Sequence, residues 1–391
     1  MSRVLPVIVV AQFLCTTLWF VGNAVMPEIV LAFELDAQFF ARQTSSVQFG
    51  FISGTLVYAL LTVADRFSPS KVFFASAFVA AAFNLAVLSD SNNPASLLVL
   101  RFMTGFFLAG IYPVGMKIAA DYFEKGLGKS LGFLVGALVL GTAFPHLLRG
   151  YLADLPWKYV VGASSCFGVA GGALILLFVP DGPHRRAAGK VNVSMTGKMF
   201  TGKGFRSAAF GYFGHMWELY AFWTFVPAIL TTYTKLHRVP MLNISVWSFV
   251  IIGVGCFACI AAGYLSNQIG ARATASIALA ASGFCCLVSP LLFSAESPVL
   301  FLAFLVTWGA MVVADSPMFS SLVAANVSPE QRGTALTLVN CIGFSITIVS
   351  IQVLSWLSLT MPVQYLFLAL APGPVLGLVA LAQGQARSAN H

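Results

Sequence analysis

The chain has 391 residues, 59% of them hydrophobic and only 9% charged, with a net charge of +8 and a mean hydropathy of +0.88. Soluble domains carry about 25% charged residues, so a water-soluble fold is excluded and an integral membrane protein is expected. The positive balance does not point to nucleic acid, because most basic residues fall in short loops between apolar runs, where they set orientation.

In chain order, Arg3 precedes an apolar run too long for a signal peptide, which is expected to be a first spanning helix. Runs of spanning length cover 4–32, 44–63, 71–89, 95–120, 129–152 and 157–180. After a polar stretch from Asp181 to Gly204 they resume at 206–233, 243–266, 272–293, 297–324, 332–358 and 362–384. The pattern predicts an all-α fold of twelve transmembrane helices in two six-helix bundles. The expected boundaries are 1–180 for the first bundle, 181–205 for a cytoplasmic linker and 206–391 for the second bundle. The seven cysteines lie inside apolar stretches. Cys256-x-x-Cys259 has redox-motif spacing, but it sits in a membrane helix with no second pair, so packing is the expected role.

Counted with the N-terminus inside, 14 Lys and Arg residues fall on the inner side and 5 on the outer; Arg101 and Lys117 lie within the fourth helix. Both termini are therefore expected in the cytoplasm. The halves also repeat. Asp65 and Asn267, in the loops after helices 2 and 8, are 202 positions apart, and Pro113 and Pro317, in helices 4 and 10, are 204 apart. Two matches at nearly one offset predict a duplicated six-helix unit.

Four motifs then resemble the major facilitator superfamily of transporters, across all twelve helices. In the loop after helix 2 the family carries G-x-x-x-D-R-x-G-R-R/K; Asp65 and Arg66 match, while Leu61 and Ser68 replace the glycines. In its copy, Gly263, Gly270 and Arg272 match, while Asn267 and Gln268 replace the charged pair. Arg101-Phe-Met-Thr-Gly105 resembles the family's R-x-x-x-G, and Pro329-Glu-Gln-Arg332-Gly333 its inner-loop form. The helix-5 motif of drug–proton antiporters is degraded: Gly132, Gly141 and Gly150 keep register, but Pro145, His146 and Arg149 occupy other conserved slots. The run Gly214-His-Met-Trp-Glu218-Leu-Tyr is similar to that of bacterial permeases for small anions.

Charge at membrane depth marks the candidate sites, since a buried charge costs at least ~2.5 kcal/mol at the bilayer centre. Gly211, His215, Glu218 and Phe222 share one helical face, expected to wall a polar pathway. Glu218 and His215 are the leading candidates for proton coupling, because histidine and a carboxylate in low dielectric can exchange protons in the working range. Asp315 joins them as proton carrier or cation ligand, beside Pro317, which can open a kink. Its repeat counterpart, 204 positions earlier, is Ile111, so the acid is not part of the shared scaffold.

For substrate, Arg101 shares a face with Gly105 and Tyr112, and His146 and Arg149 share one near the outer end of helix 5. With Glu28 they suggest an outer gate or an anion-attracting vestibule, as Arg binds carboxylates bidentately. Lys117 and Asp121 suit a local pair. Asn23, Gln12, Gln48, Asn340 and Trp217 are candidate substrate contacts. Helix–helix hydrogen bonding accounts equally well for the amides. Asp65 and Arg66 are expected, by the resemblance, to form an inner gating latch, with Asn267 and Arg272 in the second half.

The combined reading is a multi-pass transporter of a bacterial inner membrane, monomeric, moving a small polar or anionic solute by rocker-switch alternating access with proton coupling. A proton antiporter exporting an amphipathic or cationic molecule, and a non-transporting receptor, are the alternatives. There is no nucleotide-binding loop, metal-ligand array or catalytic triad, so neither enzymatic activity nor a cofactor is expected.

Overall fold

The computed structural model describes residues 4–36, 38–122, 127–185, 199–239, 242–328 and 331–385. Pro329 and Glu330 of the inner-loop motif, and Arg186, Lys190 and Lys198 of the linker, lie outside the described residues. The chain forms two compact units. One is Met1–Ala188 with Asn243–Cys256, the other Gly189–Leu242 with Phe257–His391.

In the first unit, α1 (Val4–Ala24) and α2 (Met26–Ala32) are one apolar run broken at Val25, just ahead of Pro27. Next come α3 (Phe39–Leu60), α4 (Val63–Arg66) and α5 (Pro69–Ala86), the last begun by a proline in its first turn, where a missing N–H costs nothing. α6 (Pro94–Leu108) opens on a capping box, Asn93 accepting from Ser96 N while Ser96 Oγ accepts from Asn93 N. α7 (Tyr112–Tyr122), α8 (Leu127–Tyr151) and α9 (Lys158–Phe178) follow. The residues Asn243–Cys256 contribute α11 (Ile244–Gly253), which packs on α8.

The second unit begins with α10 (Lys203–His237), 35 residues long. It continues with α12 (Gly255–Ile269) and α13 (Ala271–Ser294), which starts after Gly270 at φ +86°, a conformation that favours glycine. Then come α14 (Pro298–Ala314), α15 (Ser316–Ala325), α16 (Arg332–Leu357), the short α17 (Val363–Leu366) and α18 (Pro372–Gln385). α10 packs on α16 and α18, and meets α18 backbone to backbone: a Cβ on Gly214 would strike Gly373 O. Small residues at such contacts are how helices associate where lipid offers no hydrophobic drive.

The internal repeat is visible in the helix breaks. Helix 4 of the sequence reading is α6 and α7, interrupted at 109–111, and helix 10 is α14 and α15, interrupted at Asp315. Pro94 and Pro298, the first residues of α6 and α14, are again 204 apart.

Ten stretches are helices long and apolar enough to cross a membrane among the described residues. Two of the expected twelve do not meet that measure, although α3 and α10 are long enough at 22 and 35 residues. Polarity is the reason. α3 carries Gln43, Thr44, Ser45, Ser46 and Gln48, and α10 carries a basic start, His215 and Glu218.

Candidate functional site

The polar face of α10 looks into its own unit. Glu218 is 1% exposed, and three donors converge on it. Trp308 Nε1 of α14 donates to Oε1 at 2.6 Å, Ser282 Oγ of α13 to Oε2 at 2.8 Å, and Cys286 Sγ to Oε1 at 3.3 Å. A carboxylate so supplied has most of its hydrogen-bonding capacity met. One turn along the face, the Phe222 ring packs against Trp308, centroids 4.5 Å apart and planes tilted by 31°.

His215, one turn the other way, lies against Asp315. His215 Nδ1 and Asp315 Oδ1 are 2.8 Å apart, both side chains 1% exposed. The pair has ion-pair separation but not hydrogen-bond alignment, and neither Asp315 oxygen nor His215 Nε2 has a hydrogen-bond partner among the described residues. The two buried acids therefore differ: Glu218 has three donors and Asp315 has none among the described residues.

Local structure explains where Asp315 sits. Pro317 has no N–H to give the carbonyl four residues back, Val313 O, so the ladder fails there and α14 ends. Cys259 Sγ of α12 donates to that carbonyl at 3.3 Å. Asp315 occupies the break, next in the chain to Ala314, which packs in a small cluster with Ala258, Ala262 and Ala278.

In the first unit, Arg101 is 1% exposed and bound by its own unit. It donates to Asn84 Oδ1 of α5 at 2.8 Å, to Leu18 O at 3.0 Å and to Trp19 O at 2.8 Å, both on α1. Glu28 and Arg149 meet through Nε and Oε1, 2.5 Å apart. Arg149 Nη1 also donates to Leu152 O, Ala153 O and Leu155 O, closing the end of α8. Asn23 Nδ2 donates to Thr44 Oγ1 at 2.8 Å. Tyr112 begins α7 and is half-buried. His146 is buried, with its Nε2 unpartnered among the described residues; Thr142, one turn away on α8, and the amides of Gln12 and Gln48 are in the same condition.

At the end of this unit where α4 lies, Asp65 pairs with Lys117 at 2.9 Å, closer than the expected Lys117–Asp121 pair at 3.7 Å. Arg66 is exposed. Arg185 donates to Asp65 O, Phe67 O and Asp181 Oδ2, so the start of the linker is knitted onto α4. In the second unit Arg272 donates to Leu381 O at 2.6 Å and Ser207 Oγ at 3.2 Å, while Asn267 is exposed. Trp217 donates to Ala369 O at 3.0 Å, and Asn340 is half-buried on α16. Sequence reasoning missed the partners Trp308, Ser282, Cys286 and Asn84. Trp308, Ser282 and Cys286 carry no local signal, since a tryptophan, serine or cysteine in an apolar run reads as packing, whereas Asn84 is an amide in a spanning run like Asn23.

Residues 8–351 match the Major Facilitator Superfamily, and the chain belongs to that family. Over 163 residues it is 29% identical to the efflux pump FUB11 of Gibberella fujikuroi, a match covering 41% of this chain and 28% of the pump. The chain thus aligns with little more than a quarter of that relative's length. Its fold is similar to that of the proton:xylose symporter XylE, with a TM-score of 0.75 at 12% identity, covering 97% of this chain and 95% of XylE. It is likewise similar to the nucleoside transporter NupG, with a TM-score of 0.72 at 14% identity, covering 97% of this chain and 99% of NupG. Family membership makes the chain a multi-pass membrane transporter and not an enzyme.

Proposed function

We propose that this transporter is a secondary active carrier of a small polar solute, driven by protons taken up and released at the His215–Asp315 pair. The supporting observation is the pair itself: an imidazole and a carboxylate, both buried, joined across a helix break, with the acid short of hydrogen bonds. Such a pair can exist charged or, after one proton moves, neutral, and the two forms differ in how strongly they tie α10 to α15. Rocker-switch alternating access needs that kind of bias between two arrangements. Glu218, with three donors fixed on it, suits a supporting role better than a cycling one.

For substrate, an uncharged polar solute fits better than an anion. Arg101 and Arg149 already spend donors on protein carbonyls and on Glu28. Among the described buried groups without a hydrogen-bond partner there are charged ones, Arg101 Nε and Glu28 Oε2 included, but in the first unit most are uncharged, Gln12, Gln48, Thr142 and His146 among them. An unmet buried polar group costs about 1–3 kcal/mol, which a ligand hydroxyl or amide can offset.

Uptake into proteoliposomes tests this. Accumulation should require an imposed pH gradient, and Asp315→Asn should abolish accumulation while leaving substrate exchange intact. Accumulation by Asp315→Asn equal to wild type removes the pair as the coupling group. A second reading, export by proton antiport, is favoured by the relatives named efflux pumps. It requires substrate to leave as protons enter, so the sign of pH-driven flux separates the two.

A further inference from the structure

A groove of about 960 Å³ runs along the second unit, floored by α10 and walled by α16 and α18. Its two ends differ. At one end stand Lys203, Arg206 and Gln383, all exposed, with Ser207 beneath them. Along the rest the lining is apolar: Phe210, Phe213 and Trp217 on α10, Val349 on α16, Leu376 and Val379 on α18. Phe210, Val349, Leu376 and Val379 are each about half exposed or more. The spacing 203, 206, 210, 213, 217 is one helical stripe, so cation and aromatic rings share a single face. Among the described residues no acidic residue lines the groove.

The basic end coincides with the start of α10. Gly202 caps that helix with no side chain, so the partial positive charge of its first turn adds to Lys203 and Arg206. From Lys203 to Trp217 the stripe is about 21 Å long at 1.5 Å per residue. A leaflet's hydrocarbon is about 15 Å deep, with a headgroup zone beyond it. The groove thus has the length of one leaflet, the polarity of one leaflet and a net positive mouth.

We propose that this groove holds one anionic phospholipid, its phosphate on Lys203 and Arg206 and its acyl chains along Phe210, Phe213, Leu376 and Val379. The occupant follows from charge complementarity. An apolar peptide would find no use for two cations at one end, and a zwitterionic lipid brings an ammonium to a mouth whose described lining holds no carboxylate. Basic pockets between membrane helices are a recurrent headgroup site.

The test is native mass spectrometry of the purified full chain in detergent, given equal amounts of phosphatidylglycerol and phosphatidylethanolamine with identical acyl chains. Wild type should retain one phosphatidylglycerol in clear preference. Lys203→Gln with Arg206→Gln should reduce that retention by roughly tenfold or more, from the loss of two headgroup charges. Leu376→Trp, which fills the apolar part, should reduce retention of long-chain phosphatidylglycerol while the basic mouth is unchanged. Lys235→Gln with Arg238→Gln, the same charge change at the far end of α10, should leave retention as in wild type, and excess inorganic phosphate should not displace the lipid. Equal retention of the two lipids by wild type overturns the proposal. So does undiminished retention by the Lys203/Arg206 variant with an unchanged melting temperature, or equal loss in the far-end control.

Discussion

Trp308 donates its indole N–H to Glu218 at 2.6 Å, fastening the first helix of the second unit to the fourth. Ser282 and Cys286 fasten the same carboxylate to the third. The first unit has a counterpart of opposite sign: Arg101, on its fourth helix, binds Asn84 on the third and two carbonyls on the first. Asn84 and Cys286 are 202 positions apart, the offset of the repeat. Each unit therefore ties its first, third and fourth helices through one buried ionisable group, a guanidinium in one copy and a carboxyl in the other.

If Glu218 is such a clasp, its donors matter for stability before they matter for transport. Trp308→Phe keeps an aromatic ring against Phe222 and removes one donor from a buried acid, which costs about 1–3 kcal/mol. Melting in detergent should fall by several degrees, while pH-driven accumulation by the folded fraction persists. Loss of accumulation at unchanged melting temperature would place Glu218 in the transport cycle.

Arg101→Ala should be more damaging still, because it leaves a cavity, strands Asn84 Oδ1 and removes the second donor from Leu18 O and Trp19 O, which α1 already bonds internally. Arg101→Lys should rescue little, since a point charge cannot reproduce the planar fork that reaches α1 and α5 together. Binding of anionic and neutral solutes should decline in parallel. Selective loss of the anionic ones would restore Arg101 to the substrate site.

Pro317→Ala addresses the break at Asp315. Alanine supplies an N–H for Val313 O and favours helix over proline by about 3 kcal/mol, in competition with the Cys259 thiol. The variant should melt higher and transport more slowly, because straightening α14 into α15 moves Asp315 relative to His215. Cys259→Ala removes only the thiol donor and should lower melting slightly, with coupling unchanged. A Pro317→Ala protein as fast as wild type would show that the break is not needed for turnover.

Much of the architecture is legible from composition, for a simple reason. Hydropathy runs report the cost of moving a segment into lipid, and that cost hardly depends on tertiary detail. The break at Asp315 is equally readable, because Pro317 removes a specific hydrogen bond. What cannot be read is which helix a given face meets. The spacing of His215 and Glu218 puts them on one helical face, yet the partners Trp308 and Asp315 lie 90 and 100 positions away and are chosen by helix rotation. Arg101 shows the harder limit. Two of its acceptors are backbone carbonyls, which every residue has, so no side chain announces them. α3 and α10 show the opposite problem, since the polar residues placed on them for function or packing weaken the signal used to recognise a span.

The Glu28–Arg149 pair allows a test of gating against anchoring. Its side chains are 25% and 17% exposed, so the ion pair itself is partly solvent-screened and is worth about 1 kcal/mol or less. Arg149 has a second task, since its guanidinium also closes the end of α8 on three carbonyls. Glu28→Gln should therefore lower the melting temperature little, and Arg149→Gln considerably more. A double-mutant cycle on melting should return a small coupling, because most of the Arg149 effect does not pass through Glu28. Transport reads the other possibility. If the pair holds a gate shut, Glu28→Gln should raise the rate of downhill substrate flux with stability almost unaltered, whereas flux equal to wild type assigns both residues to holding the helix ends of the first unit.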